Sequence, residues 1–157
     1  MGRTVKLQTI VIVAILLAGC SDQTPPDGPF GTTNTAEQGK SASTAILRDV
    51  QAQSLGVAPN HLIEGELSQC DPMSADIWMA FPVFKTQVAA SDIKAVATKA
   101  RAVLRDTYGF DMDDLGSTDP DVLSSSGRSG EYYASVNARY SESFVAASIQ
   151  SPCLPRE

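Results

Sequence analysis

The stretch SDIKAVATKARAVLRDTY, residues 91–108, is the most strongly periodic in the chain, and the reading of the rest is built around it. Ile93, Val96, Ala97, Ala100, Val103, Leu104 and Tyr108 recur at helical spacing, so they share one side of an α-helix. Lys94, Lys99, Arg101 and Arg105 fall mostly outside that stripe. They read as the solvated face of a helix lying on a core. Ser91 is the expected N-cap and Gly109 the expected stop.

Working outward, Ile77, Met79, Phe81 and Val83 alternate with Asp76, Trp78, Ala80 and Pro82, the two-residue period of a strand. Pro82 has no N–H to donate, so this strand is expected at an edge or bulged. Residues 132–140 and 144–149 are β-rich runs separated by Ser141, Glu142 and Ser143, which predicts an antiparallel hairpin. A weaker helix is expected over residues 43–55 through Ile46, Leu47 and Val50, ended by Gly56 and Pro59. A right-handed crossover then makes the first and second strands parallel, and the third, antiparallel to both, slots between them. The expected fold is α+β: a small mixed sheet, a split β-α-β followed by the hairpin, with one packed amphipathic helix and an N-terminal helix.

The chain has 157 residues, the size of one domain, with 12 basic and 18 acidic residues. Without residues 1–19, which hold Arg3 and Lys6 and no acid, 138 residues remain, with 10 basic, 18 acidic and a net charge of −8. Such a body lacks the clustered cations that a nucleic acid or an anionic membrane surface requires.

Arg3 and Lys6 precede an unbroken apolar run, residues 10–17, which has the layout of a signal peptide and is too short for a spanning helix. The run closes on Leu17-Ala18-Gly19-Cys20. This motif resembles the lipobox of bacterial lipoproteins. In style of chain, with Ser151-Pro152-Cys153 after a final strand, the sequence also resembles small actinobacterial lipoproteins of uncharacterised function. The resemblance implies that residues 1–19 are removed, that Cys20 becomes the lipidated first residue, and that the partner so engaged is a lipid bilayer. Two or three acyl chains anchor stably where one is marginal. Ser21, not Asp, follows Cys20; in a Gram-negative cell the family's sorting habit would favour the outer membrane. Residues 20–39, rich in Pro, Gly, Ser and Thr, are expected to be a disordered tether, and residues 40–157 the single extracytoplasmic domain.

With Cys20 taken by lipid, Cys70 and Cys153 remain in an exported chain, the number one disulfide needs. The expected sheet brings the start of its first strand and the end of its third to the same end, which agrees with that pairing.

Chemistry is sparse. A hydrolase would have to use His61, the single histidine, placed beside a turn with no nucleophile elbow near it. His61, Glu64 and Glu66 match no metal-ligand spacing. Residues 111–122 begin like a calcium loop at Asp111, Asp113 and Gly116, then carry Leu115 at the fifth position and Val122 where a bidentate Glu belongs. Trp78, Tyr132, Tyr133 and Tyr140 read first as strand and core positions chosen for β fit, with an aromatic contact surface as the functional alternative. The expectation is a non-enzymatic binding or scaffolding module on the outer face of the cytoplasmic membrane, without a cofactor or metal, acting on an unidentified envelope protein or small ligand. The alternatives are an envelope hydrolase using His61 and a weak calcium-dependent binder.

Overall fold

The computed structural model describes residues 30–56, 62–63, 65–72 and 74–156. The signal peptide, Cys20, the first half of the expected tether (residues 20–29), His61 and Glu64 lie outside the described residues. The elements run α1 (Ala36–Leu55), β1 (Leu62–Ile63), β2 (Leu67–Asp71), β3 (Ser74–Ala80), β4 (Val83–Gln87), α2 (Ile93–Asp106), β5 (Asp111–Met112), β6 (Val122–Ser129), β7 (Tyr132–Arg139), β8 (Phe144–Gln150) and β9 (Leu154–Pro155).

The periodic stretch is α2, and its stripe points inward: Ile93, Ala97, Ala100, Val103 and Leu104 are buried, with Val96 and Tyr108 packed at the margin. Asp92, not Ser91, stands at the N-cap, and its side chain makes no capping bond. The Ser91 hydroxyl donates to the Asp92 carboxylate instead. At the other end Gly109 takes φ +66°, a left-handed conformation glycine adopts without a Cβ penalty. The Phe110 N–H then turns back to the Leu104 carbonyl.

Helix α1 starts at Ala36, seven residues before the expected Ser43 and inside the stretch read as tether. Side-chain caps explain the start: Thr35 Oγ1, at the N-cap, accepts from the Gln38 N–H, and Gln38 Oε1 reaches back past the cap to accept from the Asn34 N–H. Ahead of it, the Phe30 ring stacks on Tyr132 with centroids 3.5 Å apart and meets Phe110 edge-on at 5.7 Å. Thr33 and the Tyr132 hydroxyl share a hydrogen bond of 2.6 Å. Residues 30–39 are thus packed against the domain, and composition alone placed its boundary too far along the chain.

The helix read as weak because its buried face is half polar: Ser43, Thr44, Gln51 and Ser54 are buried beside Ile46, Leu47 and Val50. The Gln51 amide and the Ser43 and Thr44 hydroxyls find no hydrogen-bond partner among the described residues, so they weaken rather than reinforce the packing.

Every sheet pairing is antiparallel: a six-stranded sheet in the order β1-β4-β8-β7-β6-β5 and a three-stranded sheet β2-β3-β9. The split arrangement is present within the larger one. β8 lies between β4 and β7, antiparallel to both, so those two run parallel without touching. The strand expected around residues 76–83 is divided, with β3 in the small sheet and β4 in the large one. The break falls at Phe81 and Pro82, where the missing N–H interrupts pairing. Ser151 joins the two sheets at this corner: its N–H donates to the Ala80 carbonyl and its hydroxyl accepts from the Ala80 N–H.

Cys70 and Cys153 form the expected disulfide. It ties β2 to the residue entering β9, the two strands that flank β3.

Candidate functional site

Both helices pack against the large sheet from one side, which consumes one set of alternate residues on each strand. On β7 these are Tyr132, Ala134, Val136 and Ala138; on β8, Val145, Ala147 and Ile149. The other set faces away from the helices. Register places Lys85, Ala146, Asn137 and Ser124 in one cross-sheet row, and Val83, Ser148, Ser135 and Ser126 in the next. The open face is therefore small and hydroxylic at its centre. Its flanks carry Lys85 over the Phe144 ring at 4.0 Å and Arg128 beside the Tyr133 ring at 5.9 Å.

At the β5–β7 side this face deepens into a groove of about 530 Å³. Ser124, Ser126, Tyr133, Ser135 and Asn137 form its floor, and the loop carrying Asp113 and Asp114 forms its wall. The wall is held from behind. Arg101, at the margin of the buried face of α2 with its side chain only 13% exposed, donates to the Met112 and Asp113 carbonyls and to Asp114 Oδ1 at 2.9 Å. Ser125, pointing to the helix side of β6, donates to the same Asp113 carbonyl at 2.6 Å. Gly127 lets β5 close on β6, since a Cβ there would collide with the Asp111 carbonyl. On the floor, the Ser135 and Ser148 hydroxyls share a bond of 2.8 Å, and Asn137 Nδ2 donates to Ser135 at 3.2 Å. Asp113 Oδ2 lies 3.4 Å from the Ser126 hydroxyl.

The groove locates the residues that sequence had offered for other roles. The acidic stretch supplies a groove wall: Asp111 lies on β5 opposite Arg128, Asp114 is paired with Arg101, and Asp121 turns to the far hairpin. Among the described residues no group of three or more His, Cys, Asp or Glu is placed to hold a metal ion. Asp121 accepts from the Ser141 N–H and hydroxyl, which holds its carboxyl below the usual range, and Arg139 adds to the effect. The four aromatics do not make one surface. Tyr132 is buried beneath Phe30, Tyr140 packs at the core margin, Trp78 lies in the small sheet with Arg156 at 5.0 Å, and Tyr133 alone reaches the groove. Burial pushes the Tyr132 phenol up.

Strand β6, half of the groove floor, was missed in the sequence because Val122-Leu123-Ser124-Ser125-Ser126-Gly127 carries hardly any apolar alternation. Its signal was the Ser129-Gly130-Glu131-Tyr132 turn, where Gly130 takes φ +57° between two paired strands.

The fold is similar to that of the candidate lipoprotein LppA from Mycobacterium tuberculosis. The likeness covers 78% of this chain and 79% of that one, with a TM-score of 0.51 and 16% sequence identity, and so concerns the fold. No family model and no curated protein matches the sequence. Among the described residues, no helix is long and apolar enough to cross a membrane.

Proposed function

We propose that this chain is a lipid-anchored protein of the bacterial cell envelope, held through acylated Cys20 at the outer face of the cytoplasmic membrane, whose domain binds a partner without catalysing a reaction. The observation that carries the reading is Leu17-Ala18-Gly19-Cys20 directly behind a short apolar run that follows Arg3 and Lys6. Two features support it. The Cys70–Cys153 bridge belongs to a protein that matures in an oxidising compartment. The fold resembles that of a candidate lipoprotein.

A binding role suits the open sheet face better than a hydrolytic one. The chain holds a single histidine, and the groove side chains are hydroxyls, an amide, a phenol and two acids, one of them paired with Arg101. The Ser135 hydroxyl is bonded to Ser148 and Asn137, neither of them a base, and Ser126 has only the exposed Asp113 carboxylate at 3.4 Å, a poor activator of a serine.

The experiment is metabolic labelling with a fatty acid in a bacterial host, followed by membrane fractionation of the wild type and Cys20→Ala. The wild type is expected to take up label and sediment with membranes. Cys20→Ala should be unlabelled and soluble with an unchanged circular dichroism spectrum. An unlabelled wild type, or a variant that stays on membranes in high salt, refutes the anchor.

A further inference from the structure

We propose that the groove over β6 and β7 is a binding site for a neutral oligosaccharide. This rests on the reading of the domain as a binding module and names the class of its ligand. A groove of about 530 Å³ is within the range of small-molecule sites, roughly 300–1,000 Å³. Its chemistry matches a sugar ring group by group. A sugar carries hydroxyls that both donate and accept around a ring with apolar C–H faces. The floor offers the hydroxyls of Ser124 and Ser126 as acceptors, since they donate to the Gly116 carbonyl and the Asp113 carboxylate, with the Ser135 hydroxyl, the Asn137 amide, which both donates and accepts, and the Tyr133 ring as a stacking surface. The wall offers the Asp113 and Asp114 carboxylates as acceptors for paired hydroxyls.

These groups are already positioned. Ser135 is fixed between Ser148 and Asn137, and Arg101 holds the Asp114 carboxylate and the two carbonyls before it, those of Met112 and Asp113. Preorganised polar groups lose little freedom when a ligand arrives, which is what an open polar site requires.

Other ligand classes fit less well. An anion would meet two carboxylates at the rim. An apolar molecule would desolvate a hydroxylic floor for no return in buried apolar area. A bare cation would compete with the Arg101 guanidinium for Asp114. An extended peptide adds to a strand edge, whereas the β6 edge is occupied by β5 and by the Gly116 bridge to Ser124.

The test is a titration of the ¹⁵N-labelled mature chain carrying Cys20→Ala, followed by amide chemical shifts. Mannotriose, maltotriose and chitotriose are added separately to tens of millimolar, with calcium chloride as a parallel arm. At least one trisaccharide is expected to give saturable shifts centred on Ser124, Ser126, Tyr133, Ser135 and Asn137. Tyr133→Ala and Asn137→Ala should each weaken that binding about fivefold or more, the factor for one lost hydrogen bond or stacking contact. Ser126→Ala replaces either variant if it loses spectral dispersion. No saturable shift with any of the three sugars, or shifts centred elsewhere, overturns the proposal. If calcium alone moves the groove amides, the ligand class is wrong while the binding-module reading stands. If a sugar binds there and is cut to shorter products, the site stands and the non-enzymatic reading falls.

Discussion

Phe30 packs the segment ahead of α1 onto the domain, and its truncation to alanine tests that contact. The ring stacks on Tyr132 at 3.5 Å with an interplanar angle of 2° and packs edge-on against Phe110 at 5.7 Å and 89°. Each such aromatic pair is worth about 0.5–1.5 kcal/mol beyond the area it buries. Phe110 and Tyr132 are 1% and 6% exposed, so Phe30→Ala also uncovers two rings that the fold otherwise keeps dry. Against this, Phe30 itself regains backbone freedom of about 1 kcal/mol, while Thr33 and Asn34 keep their own bonds to Tyr132 and Gln38. The net expectation is a loss of about 2 kcal/mol, or roughly 6–8 °C in Tm for a domain of this size. Urea denaturation should show a lower midpoint at unchanged slope. Limited proteolysis should open a cleavage site ahead of Thr35 before the body unfolds. Phe30→Leu, which keeps bulk but loses the stack, should fall between the two. A change in stability under about 0.5 kcal/mol would refute the reasoning and return residues 30–34 to a tether that merely lies on the domain.

Two further outcomes are expected. The Cys70–Cys153 bridge joins residues 83 positions apart, and on the chain-entropy model its removal costs up to about 4.5 kcal/mol. Cys70→Ser, Cys153→Ser and the double variant should therefore melt at nearly the same lowered temperature in calorimetry, and an additive double variant would contradict a single shared bond. Burial, with the bond to Asp49 at 2.7 Å, pushes the Tyr108 phenol up to about 12. The folded state then holds this proton more tightly than the unfolded chain, whose tyrosine titrates near about 10. The stabilisation is complete below pH about 10 and is lost as pH rises from about 10 to 12. Ultraviolet absorbance should show one phenol ionising late, and Asp49→Asn should bring it down; a Tyr108 titrating with exposed tyrosines would contradict the contact.

The elements legible in the sequence were those whose pattern is local and strong. The α2 stripe, the alternation of β7 and the apolar run of β8 each declare their buried face within a dozen residues, because a helix repeats every 3.6 residues and a strand every two. Cysteine parity pointed to the Cys70–Cys153 bond for a similarly simple reason, since an exported domain with two remaining thiols has one pairing open to it. The element order and crossover rule made β4 and β7 parallel and left room between them for an antiparallel strand, the position that β8 takes.

What tertiary structure decided is everything whose meaning depends on a distant partner. Phe30 reads as a lone aromatic in a polar segment until Tyr132, 102 positions along the chain, supplies the ring it stacks on. Ser124 and Ser126 carry no pattern in the sequence and Ser135 only a place in a β-rich run, and they become a groove floor only when register sets Ser126 opposite Ser135 and Ser124 opposite Asn137. Asp113 and Asp114 read as a failed calcium loop until Arg101 pins their backbone beside that floor. Local periodicity records which face of an element avoids water, because burial acts on each residue by itself. A binding surface is made of residues that stay in water, so no burial signal marks them, and only the packing of separate strands brings them together.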